Sequence, residues 1–165
     1  MLRMLLANLA FVLLAGVAAA QSANIAVGTG AFDASLPVEV TADELSVNQS
    51  TGQAVFQGNV LIVQGEVRLS AGSVTIEYAP EGSANAISRL LASGGVTFVT
   101  STDAAEARDA VYSVNDGTVT LSGDVLLTQG RNAIAGDRLV VNLESGNGRM
   151  DGRVRTVINP SQGEN

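Results

Sequence analysis

The sequence contains no cysteine, no histidine, no lysine and no tryptophan. Without cysteine no disulfide can form, so we expect stability to come from packing and from backbone hydrogen bonds. The lack of cysteine and histidine excludes most transition-metal sites, and it removes the thiol nucleophile and the commonest general base. The serine and threonine hydroxyls lack both a histidine and a lysine to activate them. An enzyme is therefore disfavoured, and neither a cofactor nor a metal is expected.

Positive charge is also scarce. Nine arginines stand against sixteen acidic residues, which gives a formal net charge of −7. Nucleic-acid binding depends on a clustered basic surface. No nucleic-acid partner is therefore predicted.

The first twenty residues have the pattern of a secretory signal. Arg3 precedes an apolar stretch over 4–17, and three alanines at 18–20 stand just before Gln21. A charged start, a short apolar run and a small-residue box are typical of a cleaved signal peptide. The alternative is an uncleaved membrane anchor, although the run is just short of a spanning helix. The remaining chain has the length of one domain.

From residue 37 onward, apolar and polar residues alternate with the period of β-strands. Residues 38–47 are predicted as one strand with its polar face in water, after an irregular lead-in over 21–36. Turn-forming clusters separate further short strands, and Asp116-Gly117 is typical of a hairpin. A short helical turn is an alternative for the alanine-rich residues 101–110. The further predicted strands lie at 54–56, 67–69, 74–78, 87–91, 96–99, 112–114, 119–121, 125–128, 139–143 and 154–158.

A Gly-x-Val step recurs along the chain. It begins at Gly58, Gly94, Gly123 and Gly152, with spacings of 36, 29 and 29 residues. Repeats of this length indicate stacked β units, as in a solenoid, a propeller or a stacked sheet. Gly58-Asn59 is compatible with either a hairpin turn or a bulge inside one long strand. Because each strand has one apolar face, the pattern favours a sandwich, a jelly roll or a solenoid.

A series of short motifs follows in order along the chain: Pro37-Val38-Glu39-Val40-Thr41-Ala42-Asp43 with Leu45, Phe56-Gln57-Gly58-Asn59-Val60 with Gln64-Gly65, Leu69-Ser70-Ala71, Tyr112, Leu121-Ser122-Gly123-Asp124-Val125 with Gln129-Gly130, Gly136-Asp137-Arg138-Leu139, and Arg153-Val154-Arg155-Thr156-Val157-Ile158 with Pro160. By their order and spacing together, these motifs resemble the OstA/LptA-like periplasmic proteins of lipopolysaccharide transport. The resemblance covers about residues 37–160, and one departure is Gly72, where the family commonly has aspartate.

The resemblance implies an all-β fold, a twisted and partly open antiparallel β-jelly roll built from repeated strand units. The expected organisation is a signal peptide over 1–20, the lead-in over 21–36, the OstA-like jelly roll over 37–160 and a short tail over 161–165. The implied function is that of a periplasmic carrier of lipopolysaccharide, binding the acyl chains of lipid A. The implied partners are LptC-like and LptD-like proteins joined through edge strands, with a possible head-to-tail homo-oligomer.

Ten apolar residues are predicted to face inward and contact lipid: Val60, Ile62, Leu69, Val74, Ile76, Phe98, Leu121, Leu127, Leu139 and Val141. A one-residue slip in register would exchange the two faces of any strand. Five arginines could contact lipid phosphates or simply be solvated: Arg68, Arg89, Arg131, Arg138 and Arg149.

Three aspartates open successive strands: Asp43, Asp109 and Asp137. A carboxylate pair or a calcium site could use them, but no ligand-dense loop accompanies them, so turn formation is favoured. Two alternative functions stay open: a membrane-anchored LptC-like component of the same system, and a secreted structural or adhesive β-solenoid.

Overall fold

The computed structural model describes residues 22–28, 33, 35–80 and 87–159, and these contain strands and turns but no helix. None of them forms a helix long and apolar enough to cross a membrane. The strands are β1 (Ser22–Ala26), β2 (Glu39–Thr41), β3 (Glu44–Asn48), β4 (Gln53–Gln64), β5 (Val67–Tyr78), β6 (Ile87–Ser93), β7 (Val96–Val99), β8 (Asp103–Ala107), β9 (Asp109–Ser113), β10 (Thr118–Gln129), β11 (Asn132–Asn142), β12 (Asn147–Asp151) and β13 (Arg155–Val157).

All pairings are antiparallel, and they follow two neighbour orders. In layer A the order is β3-β4-β5-β6-β9-β10-β11-β12-β1. In layer B the order is β2-β4-β5-β7-β8-β10-β11-β13. The four long strands β4, β5, β10 and β11 run through both layers. The fold is therefore one continuous sheet bent into two facing layers, which confirms the predicted all-β jelly roll.

The bend crosses the sheet as one line. The four long strands run through it, and the short strands end at it. Opposing positions along it are Asp43 with Gly58, Gly72 with Gly94, Arg108 with Gly123, and Asp137 with Gly152. The four glycines of the Gly-x-Val step are all on this line, with φ between 76° and 84°. Only glycine adopts that backbone readily. The repeat therefore marks where strands turn from one layer into the other, and it does not mark separate stacked units.

Gly58-Asn59 is a bulge inside β4, because the register with β5 shifts between Gln57 and Val60. Gly123-Asp124 forms the equivalent bulge in β10. Both second residues have positive φ, 47° at Asn59 and 51° at Asp124, a conformation that asparagine and aspartate tolerate better than most residues. The hairpin alternative at this position is excluded.

Gly72 is at a point where two backbones approach closely. A Cβ added there would lie 3.1 Å from the Gly94 carbonyl oxygen. An aspartate at this position would have to push that carbonyl away. The departure from the family pattern therefore has a steric reason in this chain.

The predicted division into strands is wrong in several places. The strand predicted at 139–143 begins at Asn132, and β12 was not predicted. Three further errors lie at the bend. Residues 38–47 form two strands and not one, because β2 and β3 pair with the two halves of β4 on either side of its bulge. The predicted pair at 67–69 and 74–78 is the single strand β5. The predicted pair at 119–121 and 125–128 is the single strand β10. In each case glycine bends the chain without ending its pairing.

The lead-in over 21–36 is not wholly irregular. Its residues 22–26 form β1, which pairs along its length with β12. The backbone ladder to β12 orders this segment although its side chains have no clear period. Residues 101–110 contain β8 and β9 in place of the helical alternative. The Asp116-Gly117 hairpin joins β9 to β10 as predicted. The expected signal at 1–20, most of the loop at 80–85 and the tail at 161–165 lie outside the described residues.

Candidate functional site

The space between the two layers is the candidate site. All ten residues predicted to face inward are buried, and each layer contributes five. Layer A provides Val74, Ile76, Leu121, Leu139 and Val141, and layer B provides Val60, Ile62, Leu69, Phe98 and Leu127. The alternation of the strands therefore identified the inner face correctly. Whether these side chains contact lipid is a separate prediction.

Further buried side chains complete this interior. Eleven more buried residues were not predicted to face either way: Val27, Leu90, Ala92, Val96, Ala105, Ala110, Tyr112, Val119, Val125, Leu143 and Met150. Most of them follow the same alternation as the ten, so the period could have identified them. Val27 could not be found this way, because the preceding segment has no clear period.

The interior is closely filled. A cavity of about 30 Å³ lies between the layers, lined by Ile62, Leu69 and Phe98 from layer B and by Leu90, Tyr112 and Val119 from layer A, among others. A cavity of this size has room for about two water molecules. A larger cavity of about 130 Å³ lies beside it at the rim of the layers, where hairpin ends meet. Both cavities are lined by Gln64, Val67 and Leu143.

Two polar side chains meet across the layers where the cavities adjoin. Gln64 is 6% exposed and Tyr112 is 7% exposed. The Tyr112 hydroxyl donates a hydrogen bond of 3.3 Å to Gln64 Oε1. Gln64 Nε2 in turn donates a 3.0 Å bond to the Leu36 carbonyl oxygen. Burial, and to a smaller degree the Glu144 carboxylate, raises the pKa of Tyr112, so the phenol is a protonated donor at neutral pH.

The two ends of the bent sheet are edges. Among the described residues, β2 and β3 pair only with β4 at one end, and at the other β1 pairs only with β12 and β13 only with β11. Apolar side chains are exposed at both ends: Leu45 is 54% and Val47 is 63% exposed, while Ile158 is 71% exposed. The prediction that β3 has one covered apolar face is therefore wrong. Leu45 and Val47 alternate with polar residues as a strand requires, but no strand of the described chain covers their apolar face.

The five candidate arginines are all exposed. Arg68 and Arg138 precede the inward Leu69 and Leu139 in their strands and therefore point away from the interior. Arg89 forms an ion pair with Glu77 at 2.7 Å, and Arg149 forms one with Asp151 at 2.8 Å. Arg131 lies in the turn between β10 and β11. Phosphate contact by these residues stays a prediction, and it would involve outer surfaces.

The three aspartates lie along the bend. The Asp43 amide donates to the Gly58 carbonyl oxygen at 2.9 Å, and its carboxylate accepts a 2.8 Å bond from Asn59 Nδ2. Asp137 lies against Gly152, and Asp109 is opposite Ser122 in the ladder. Among the described residues no three acidic groups lie close enough to hold a metal ion. The contacts of Asp43 and Asp137 are those of residues that shape a bend.

The sequence matches a known protein family and a bacterial protein. Residues 39–147 match the family model described as LptA/(LptD N-terminal domain) LPS transport protein. An uncharacterized protein of Rhizobium meliloti strain 1021 is 31% identical over 133 residues, which cover 75% of this chain and 72% of that protein.

A solved structure has the same fold. The crystal structure of LptH from Pseudomonas aeruginosa, the LptA-homologous periplasmic component of the lipopolysaccharide transport device, superposes with a TM-score of 0.65 at 20% identity. The match covers 78% of this chain and 99% of LptH. With more than half of its sequence matched by the family model, this chain belongs to the LptA/LptD N-terminal domain family of lipopolysaccharide transport proteins, which transport lipid and are not enzymes.

Proposed function

We propose that this protein is a periplasmic carrier that holds the acyl chains of lipopolysaccharide between its two layers. The observation that carries the proposal is the interior itself, which is lined by aliphatic side chains from both layers. Membership in a family of lipopolysaccharide transport proteins supports it, as does the periplasmic role of LptH. The signal predicted at residues 1–20 would direct export and would then be cleaved.

Hydrophobic burial is the driving force for binding. Each methylene removed from water contributes about 0.8 kcal/mol, so partial coverage of one acyl chain supplies several kcal/mol. Long-range electrostatics does not help, because both the protein, at −7, and lipid A phosphates are negative. The 30 Å³ cavity is too small for a chain of many carbons. The facing side chains must therefore rearrange when lipid binds.

Photo-crosslinking in cells tests this proposal. A photoreactive residue at Ile76 or Leu139 is expected to capture lipopolysaccharide, because both side chains point between the layers. The matched controls are Glu77 and Val140, the adjacent residues on the opposite face of the same strands. We expect at least a tenfold difference in captured lipopolysaccharide between inner and outer positions. Failure at all ten inward positions, or equal capture on both faces, would contradict the proposal.

We also propose that the two edges join related domains, so that the protein bridges inner-membrane and outer-membrane transport complexes. Unpaired edge strands are templates for strand addition by another chain. The edges at opposite ends of one bent sheet would give a head-to-tail contact, which can propagate. Exposed Leu45 and Val47 at one end and Ile158 at the other would be covered in such a contact. LptC-like and LptD-like proteins, or a second copy of this chain, are the proposed partners.

Edge substitutions test this contact. Val47→Asp is expected to weaken association at least tenfold, because a charge would enter an apolar contact between strands. Light scattering over a concentration series measures self-association, and co-purification measures binding to the LptC-like partner. The control is Leu126→Asp, since Leu126 is an exposed apolar residue in the middle of β10. If Leu126→Asp weakens association as much as Val47→Asp, the edge is not the contact.

A further inference from the structure

Gln64 and Tyr112 are a polar exception inside an aliphatic interior. In the described part of the chain, Gln64 is the one buried residue of polar or charged type. It continues the inward alternation of Val60 and Ile62 at the end of β4, where another aliphatic residue would complete the pattern. Burying an amide without partners costs about 1–3 kcal/mol. Here the cost is offset by hydrogen bonds to Tyr112 and to Leu36.

The pair is located where a bound lipid would change from apolar to polar. Gln64 lines both the inner cavity and the larger cavity at the rim, as do Val67 and Leu143. An acyl chain that enters between the layers from the rim cavity, with its headgroup outside, would pass this point. The polar atoms nearest to the chain in such a molecule are those of the ester or amide that attaches it.

The structure already contains a carbonyl at this position. Gln64 Nε2 donates to the Leu36 carbonyl oxygen at 3.0 Å, and Leu36 lines the rim cavity. An ester or amide carbonyl of a lipid is the same kind of acceptor. The Tyr112 hydroxyl bonds Gln64 Oε1, so it orients the amide with its NH₂ group toward Leu36.

We propose that Gln64 binds the carbonyl through which an acyl chain is attached to its headgroup, and that Tyr112 positions the Gln64 amide for this contact. A chain that enters through the rim cavity displaces the Leu36 carbonyl from Gln64 Nε2, because both residues line that cavity. An acyl carbonyl then takes its place, whereas an alkyl chain of equal length offers only a weaker ether-type acceptor. This inference rests on the proposed function and specifies which part of the lipid is recognised. It predicts selectivity for acyl chains over alkyl chains of equal length.

Two neutral probes separate the polar contact from chain burial. N-dodecanoyl-glucosamine has an amide carbonyl between sugar and chain, and dodecyl glucoside has an ether oxygen there. Below their micelle concentrations, calorimetry is expected to give tighter binding of the amide probe by about fivefold to tenfold, the effect of one hydrogen bond. Gln64→Met keeps the shape but removes the donor, and it is expected to abolish this preference while changing ether binding less than about twofold.

Tyr112→Phe provides the second variant and retains the ring in the interior. It is expected to reduce the preference for the amide probe about threefold, because the Gln64 amide loses the bond that orients it. Tyr78→Phe is the matched control, since Tyr78 is the other tyrosine and is exposed. It should leave both affinities unchanged. Circular dichroism and urea unfolding establish whether each variant is folded. If Gln64→Met does not fold, the ratio of the affinities of Tyr112→Phe for the two probes is the deciding measurement.

The possible results are distinguishable. If the wild-type protein binds both probes equally, or if the variants weaken both by the same factor, the carbonyl subsite is wrong while acyl binding stands. If the wild-type protein binds neither these probes nor lipopolysaccharide, the proposed function itself is contradicted. A preference for the amide that disappears in Gln64→Met and is unchanged in Tyr78→Phe supports the subsite.

Discussion

Replacing Gly152 by alanine is expected to lower the free energy of unfolding by about 3 kcal/mol. Gly152 has a φ of 84°, where an alanine costs about 1–2 kcal/mol. An added Cβ would also lie 2.5 Å from Asp137 Cβ, as well as against the Asp137 carboxylate. Relieving such an overlap requires the backbone to shift, which costs a further 1–3 kcal/mol or so. Urea denaturation followed by circular dichroism measures the loss.

Gly95→Ala is the matched control for this substitution. Gly95 has the same φ of 84°, and nothing lies within 4 Å of a Cβ added there. It should therefore lose only the backbone contribution, about 1–2 kcal/mol. Removing the Asp137 carboxylate with Asp137→Ala, which leaves the contact with its Cβ, should restore part of the stability of Gly152→Ala. If Gly152→Ala and Gly95→Ala are equally destabilising, close packing between strands at the bend is not what requires glycine.

Leu127→Ala is expected to destabilise the protein by about 3 kcal/mol. Leu127 is 0% exposed and packs between the layers, and its truncation removes buried methyl groups and leaves a cavity. The adjacent Leu126 is 39% exposed on the outer face of the same strand. Leu126→Ala should cost less than about 1 kcal/mol. The urea midpoints of the two variants, with equal m-values, measure the difference.

The comparison of these two neighbours tests the assignment of faces. A one-residue slip of β10 against β8 and β11 would exchange Leu126 and Leu127. Equal destabilisation by both truncations, or a larger effect at Leu126, would contradict the described register. The crosslinking positions proposed for lipopolysaccharide depend on the same assignment.

The inner face of the site could be predicted from the sequence because it depends on a local rule. Successive side chains of a strand point to opposite faces, so apolar residues such as Leu69, Leu121 and Leu139 specify a face without knowledge of their partners. The same rule failed for Leu45 and Val47, because their strand lies at an end of the sheet where no described strand covers their apolar face. Alternation specifies which side chains share a face, and the surrounding chain decides whether that face is covered.

The bend and the polar pair could not be predicted in this way. Gly58 and Gly152 could be recognised in the sequence as members of a glycine repeat. Their positions against Asp43 and Asp137 arise only when the strands pair. Gln64 and Tyr112 are 48 residues apart, and no local pattern connects them. The strand β1 was not predicted for the same reason, because it is held in place by backbone hydrogen bonds to the distant strand β12.

The sequence by itself determined that this chain is all-β, which side chains its strands turn inward, and to which family it is similar. These properties depend on the period of the chain and on motifs within a few residues of one another. Only the tertiary structure decided that the glycine repeat is a bend, that the interior is nearly filled, and that an amide and a phenol meet at its rim. Those features arise from contacts between distant segments, which form only when the sheet folds onto itself.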